Sequence, residues 1–454
     1  PEELHIHYVT NSVHYPTWIA KEWHDLYVET FGEAFLKDQS NKAYWRKIYD
    51  VPAEQIMGIR RKLKARLLGY VRDTLQEDLT RRGENPRSIF ELLNAIKEDA
   101  LVIGFARRFA TYKRAHLLFS NLDRLASILN NSGRPLIFLF AGKAHPADGG
   151  GQGLIKHIIE VSKRPEFKGK VIFLENYNME MAKLLVQGVD IWLNTPTRPK
   201  EASGTSGMKA ALNGVMNFSV LDGWWAEGFR PDAGWELPLE RTYDNQELQN
   251  ELDAETIYNT LEHDILPKYY DVDETGISER WVAYIRAIIA EVAPEFTMKR
   301  MLDDYYSRFY NKLYERRQLA RQNGCKQAKA IAAWKQNMKQ RWDHIELAQA
   351  DTFDSDNQAL QTGEAFKATL RIYLNGVQPE DLGVEVAFFS RVNEEELELK
   401  FTQELELKAV RDGLAEFTCT VDPKLAGVFE YGFRAFPKSE QLAHRQDLPL
   451  VKWL

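Results

Sequence analysis

The chain of 454 residues is 44% hydrophobic and 28% charged, with a formal net charge of −7. This composition excludes a disordered chain and a helical membrane protein, since no apolar run is long enough to span a bilayer. The acidic balance argues against bulk affinity for nucleic acid but leaves room for a local cationic pocket.

The length predicts two or three domains. Cys325 and Cys419 form neither a CxxC pair nor a Cys/His cluster, which points to a reducing cytoplasm and no zinc site. The opening PEELHIHYVTNS lacks a basic-then-apolar leader and an initiator methionine, so the chain reads as a fragment.

Taken in order, KEWHDLYVETFGEAF (21–35) and IMGIRRKLKARLLGYVRDTL (56–75) carry apolar residues at helical spacing, and RRGENPRS marks a turn at Gly83 and Pro86. From about residue 97, short apolar runs alternate with helical ones. ALVIGFA, PLIFLFAG, KVIFLEN, DIWLNT and MNFSVLDG read as strands; 116–131, 153–163, 179–188 and the helix opening at Met208 read as helices. Continuous apolar strands alternating with helices predict a parallel sheet covered on both faces, a doubly wound α/β domain whose working residues lie beyond the carboxyl ends of the strands.

Helical patterns return at 278–292, 300–322 and 331–345, and the period is lost over DTFDSDNQALQTGE. The last hundred residues alternate as half-buried strands. The predicted organisation is a helical lead-in over 1–85, the α/β domain with its closing helices over 86–345, and a β-rich, sandwich-like appendage over 346–454.

The strand tails hold the candidate chemistry. Arg107, Arg108 and Lys113 in ARRFATYKR can grip a phosphate dianion, or form a surface basic cluster. In EASGTSGMK, the residues Gly204, Thr205, Ser206 and Gly207 lie where a loop enters a helix and offer backbone N–H groups to a phosphate, without P-loop or GxGxxG spacing. Lys209, in a partly desolvated site near other cations, is a candidate Schiff-base former with an aldehyde cofactor, weighed against a surface helix lysine. Glu201 is a candidate for sugar hydroxyls or base chemistry, against a helix-terminal cap. Gly149–Gly151 read as a close-approach loop or a flexible turn. His7, His14, His116 and His145 have no metal spacing.

VTNSVHYPTW (9–18), the R-x-x-x-x-K pair Arg108 and Lys113, AGKAHP (141–146), VIFLENY (171–177) and EASGTSGMK (201–209) together resemble the carboxyl-terminal half of the α-glucan (glycogen, starch or maltodextrin) phosphorylases, in the family's order. The resemblance covers residues 5–230 well and the following helices loosely, with the β-rich tail similar to an addition in a short-chain branch. It implies a GT-B arrangement, pyridoxal 5′-phosphate, and reversible phosphorolysis of an α-1,4-glucan by inorganic phosphate to glucose 1-phosphate.

Residue by residue, the resemblance implies that Lys209 carries the cofactor and that Arg108 and Lys113 bind the substrate phosphate. Arg107 stands near the cofactor phosphate where the family has lysine, and Thr205, Ser206 and Gly207 cradle that phosphate. Glu201, Ser203, Gly204 and Asn11 contact the sugar, while Trp18 and Tyr177 lie beside the cofactor ring. The usual GTGNMK reads GTSGMK here, and DGWWAEGF departs from the animal and plant pattern. The family's amino-terminal domain is missing, so the chain alone is expected to be catalytically silent. The rival readings are a nucleotide-sugar-dependent glycogen or starch synthase-like glucosyltransferase and a non-catalytic glucan-binding module.

Overall fold

A computed structural model describes residues 6–237, 243, 245–352, 365–393, 396–422 and 427–454, so the first five residues and the aperiodic stretch from 353 to 364 lie outside the described residues. The chain divides into two compact units, residues 9–308 and residues 309–454 with 6–8.

The first unit is built on six strands: β1 Leu101–Ala106, β2 Leu136–Ala141, β3 Val171–Leu174, β4 Ile191–Asn194, β5 Met216–Val220 and β6 Gly234–Leu237. Every pairing in the sheet is parallel, in the order β3-β2-β1-β4-β5-β6. β1, β2, β4 and β5 are buried along their whole length, as strands covered on both faces must be. Alternate residues enter different cores. Leu101, Ile103 and Phe105 pack with Phe138, Phe140, Leu125 and Ile158, whereas Val102 and Ala106 pack with Ile137, Leu139, Leu67, Leu68 and Leu185.

The doubly wound prediction therefore stands, with four differences in detail, the first being that Gly149–Gly151, read as a loop or turn, open a helix Gly149–Ser162 that was expected to begin at residue 153. β6 was not anticipated, because Gly-Trp-Glu-Leu is too short and mixed to read as a buried strand. The helix expected over 116–131 is split into a 3-10 turn at Leu117–Phe119 and a helix Leu122–Leu129, because the Asn121 side chain accepts from the Arg124 N–H and caps a new start. The lysine helix runs Thr205–Ala211, three residues earlier than the pattern suggested.

The lead-in helix Ala53–Arg81 crosses the sheet at the amino ends of β1 and β4 and is pinned there by charge. Asp190 accepts from Lys64 Nζ at 2.5 Å and from the Val102 N–H at 2.9 Å, with Arg60 3.7 Å away. Arg60 also donates to the carbonyls of Gln187, Val189 and Asn213, and Lys64 donates to the Ala100 carbonyl and the Tyr269 hydroxyl. Burial lowers the pKa of both cations, and the Asp190 charge opposes that shift.

In the second unit, β7 Glu346–Thr352, β8 Phe366–Tyr373, β9 Leu382–Arg391, β10 Leu397–Glu404, β11 Glu406–Arg411, β12 Leu414–Val421, β13 Glu430–Pro437 and β14 Lys452–Trp453 form two antiparallel sheets ordered β10-β9-β13-β14 and β11-β12-β8-β7. Leu370, Ile372, Val384, Val386, Ala415, Phe417 and Ala435 share the core, consistent with the β-rich region expected here. Helix Asn311–Arg341 belongs to this unit rather than to the α/β one, because its end drives Ile331, Trp334 and Met338 into that core. It is broken at Asn323, Gly324 and Cys325, whose φ angles of 50°, 65° and 62° are left-handed. Among the described residues no helix is long and apolar enough to cross a membrane.

The Asp190 pin predicts its own test. Asp190→Asn leaves Arg60 and Lys64 buried without a counter-charge and should cost roughly 3–5 kcal/mol, read from urea unfolding of the full chain by tryptophan fluorescence. A loss under about 1 kcal/mol would show that the carbonyls alone carry the two cations.

Candidate active site

The strand order reverses between β1 and β4, and the segments leaving these two strands form the walls of a crevice. The first segment prolongs the β1–β2 ladder, with Arg107 N–H donating to Ala141 and Phe109 N–H to Lys143, then turns through Thr111–Lys113. Arg114, at φ 49°, closes the turn. Its buried guanidinium donates to the carbonyls of Thr195 and Pro196 beyond β4 at 2.9 and 3.0 Å, and lies 2.7 Å from Asp253. Sequence reasoning missed this buttress, since nothing in YKR separates Arg114 from its neighbour and Asp253 lies far along the chain.

Glu201, from the segment after β4, meets the first wall. Its Oε2 accepts from Arg107 at 2.8 Å and from Lys113 Nζ at 2.5 Å, with the three side chains only 8–10% exposed. Glu201 is therefore neither an exposed cap nor a free base; it is the shared counter-charge of two cations. The group keeps a net positive charge, and Arg107 Nε and Nη1 are buried with no partner among the described residues. Burial lowers the Arg107 pKa against the opposing pull of Glu201. Arg108 points elsewhere: it is exposed, and no carboxylate pairs with it among the described residues.

The backbone holds Glu201 in place. Its N–H donates to Asp222 Oδ2 at 2.9 Å, and the Ser203 carbonyl accepts from the Trp224 N–H at 2.8 Å. Gly204, at φ +83°, then turns the chain into the lysine helix, a conformation that glycine adopts without strain. That helix has seven residues, so its dipole adds less to anion binding than the sequence reading assumed. Ser206 Oγ accepts from Trp192 Nε1 at 3.1 Å, which ties it to β4. Thr205 is the first helical residue, and Ser203 Oγ is buried without a partner.

Lys209 lies on the second turn with Nζ 3.9 Å from the centre of the Trp18 ring. No carboxylate pairs with it among the described residues, and burial alone lowers its pKa. The Asn213 side chain stitches the two segments together, donating to the carbonyls of Trp18 and Lys209 and accepting from the Ala20 N–H. The half-buried Tyr177 phenol has its pKa raised by burial and pulled back by the charge of Arg107. Asn11 is exposed; only its carbonyl is engaged, by Arg300.

Of the predicted residues, the structure brings Arg107, Lys113 and Glu201 into one group and Lys209 with Trp18 into another, joined by the Ser203–Gly207 turn.

Comparison with known proteins identifies the family of the chain. The family model described as Carbohydrate phosphorylase matches residues 3–229, and that described as Glycogen phosphorylase C-terminal domain matches residues 342–454. The chain is 36% identical to maltodextrin phosphorylase of Thermococcus litoralis over 456 residues, covering 100% of this chain and 52% of that protein. It is 41% identical to glycogen phosphorylase of Aquifex aeolicus over 312 residues, 69% of this chain and 45% of that one. With glycogen phosphorylase of Mycobacterium tuberculosis it shares 34% over 455 residues, 99% of this chain and 52% of the relative. The chain thus spans about half the length of the curated relatives it matches.

A lysine whose pKa falls below the ordinary 10.5 on folding holds more neutral amine at any given pH. Acylation of Lys209, followed by peptide mass spectrometry, should therefore show a pH midpoint below that of the chain's exposed lysines, and the difference should vanish in denaturant. A Lys209 midpoint equal to theirs in the folded chain would contradict the desolvated environment.

Proposed function

Since the chain belongs to the carbohydrate phosphorylase family, we propose that it forms the carboxyl-terminal half of a cytoplasmic, pyridoxal 5′-phosphate-dependent α-1,4-glucan phosphorylase of GT-B architecture. That enzyme would convert glycogen or maltodextrin and inorganic phosphate to glucose 1-phosphate, reversibly. The observation that carries the proposal is Arg107: a buried guanidinium with two unpaired N–H groups, in a cluster of net positive charge, is a seat for an anion that the protein itself does not supply.

The residues fit the cofactor. Lys209 presents an amine that burial biases toward the neutral, nucleophilic form, over an indole able to face an aromatic ring. Arg107 and the turn Thr205, Ser206 and Gly207 would hold its phosphate. When bound, the group supplies a phosphate able to exchange a proton with a second phosphate, rather than the electron sink usual for pyridoxal chemistry.

The chain's own residues do the rest. Two phosphates side by side repel, and Arg107 and Lys113 offset that repulsion in a site of low dielectric. Arg108, exposed and unpaired among the described residues, is available to the substrate phosphate. Glu201 directs one carboxylate oxygen to the cations, which leaves Oε1 for a glucosyl hydroxyl beside Ser203 and Gly204. Asn11 and Tyr177 would border the sugar and the cofactor ring. A crevice contributed by one domain, with no domain facing it, would not orient a glucan against phosphate, because rate enhancement by positioning needs both reactants fixed. The facing domain would come from the half of the relatives' length that this chain does not span.

Incubation of the purified chain with pyridoxal phosphate should yield an absorbance band that survives gel filtration and, after borohydride, a pyridoxyl mass on Lys209. Lys209→Ala should lose both. With maltodextrin and phosphate, the chain by itself should form no glucose 1-phosphate. Binding of UDP-glucose or ADP-glucose without any pyridoxal uptake would overturn the assignment in favour of nucleotide-sugar chemistry.

A further inference from the structure

Behind the lysine helix lies a slot that the residues named so far do not use. Trp224 is 1% exposed and begins the short helix Trp224–Gly228 after β5. Its indole lies against three glycines. A Cβ would fall 3.3 Å from its Cδ1 at Gly204, 2.7 Å from Cζ2 and 2.9 Å from Nε1 at Gly207, and 3.0 Å from Cε3 at Gly228. At Gly207 the Asn217 Oδ1 closes the other side, 2.8 Å from the same point. Any side chain at position 207 would overlap both groups.

The polar atoms around that slot are also unusual. Trp224 Nε1, both amide atoms of Asn217 and Ser203 Oγ are buried without a partner among the described residues. Buried unpaired groups cost stability and concentrate where a structure serves something other than stability. The Ser203–Gly207 turn has little means of anchoring itself: two of its five residues are glycine, and an isolated seven-residue helix does not hold in water. Trp224 supplies the anchor. Its backbone N–H donates to the Ser203 carbonyl, its ring fills the space beneath Gly204 and Gly207, and Phe296 holds the ring edge-to-face at 4.8 Å.

We propose that Trp224 is the positioning residue of this site: its indole, wedged between Gly204 and Gly207 against Asn217, fixes the turn and thereby sets the direction and desolvation of Lys209. The inference rests on Lys209 being the cofactor lysine, but its first consequence, the environment of the amine, is measurable without cofactor.

The test uses Trp224→Phe, which removes the indole Nε1–H and the ring atoms facing Gly207 but keeps the backbone bond to Ser203, Gly207→Ala, which drives a methyl into the indole, and the double variant. Each single change should move the pH midpoint of Lys209 acylation toward that of exposed lysines and weaken pyridoxal phosphate uptake about tenfold. These effects should appear at temperatures well below the unfolding midpoint of each variant. The double variant should recover part of both, because phenylalanine leaves room for the methyl. An unchanged Lys209 midpoint in folded Trp224→Phe and Gly207→Ala overturns the positioning role, whatever the cofactor does. Should the unsubstituted chain take up no pyridoxal phosphate, the functional reading fails, and the acylation profiles still decide the role of Trp224.

Discussion

The site depends on how β1 and β4 are held together. These strands share only the register pairs Ile103↔Ile191 and Gly104↔Trp192, whereas β1 and β2 run in register from Leu101↔Leu136 to Ala106↔Ala141. A switch point needs this thin junction, because a crevice opens only where the two strands' following segments diverge. The ladder lost there is replaced by charge at both ends. Asp190 fastens the amino ends to Lys64 and Arg60, and Arg114 fastens the carboxyl-end segments through Thr195, Pro196 and Asp253. With the strands clamped above and below, Arg107 and Lys113 on one wall meet Glu201 on the other at hydrogen-bond distance.

Much of this was legible in the sequence, and the reason is physical. A strand covered on both faces must be apolar throughout, so β1, β2, β4 and β5 announce themselves, and the polar tails following them mark the walls. Lys209 was legible because a glycine-rich turn entering a helix has few structural uses. What escaped notice was whatever depends on distant partners. Glu201 looked like a cap or a free base because Arg107 and Lys113, 94 and 88 positions away, were not visible as its neighbours. Arg114 could not be told from Arg108, although one is buried in a buttress and the other exposed. Trp224 read as one more core aromatic, since a slot lined by three glycines is assembled only by the fold.

A second cavity beside a charged cluster lies away from the proposed site. A cavity of ≈ 530 Å³ opens at the amino ends of the strands, lined by Arg60, Arg61, Lys64, Asp99, Tyr269 and Trp281 among others. Size and mixed lining would ordinarily recommend it. Its buried cations, however, direct donors to Asp190, to backbone carbonyls and to Tyr269, and neither has a buried atom without a partner among the described residues.

Among the described residues, Asp190, Glu385, Asp253 and Glu201 are buried carboxylates that each sit among two cations. Asp190 between Lys64 and Arg60, and Glu385 between Arg434 at 2.6 Å and Arg445 at 2.9 Å, belong to groups with no unpaired buried atom among the described residues. Each is closed, and opening it would only expose uncompensated charge. Glu201 has the same two-cation arrangement, yet Arg107 beside it keeps two buried N–H groups unpaired. On the proposed function, the Arg107 nitrogens left open in the switch-point crevice are where an anion from outside the chain would bind.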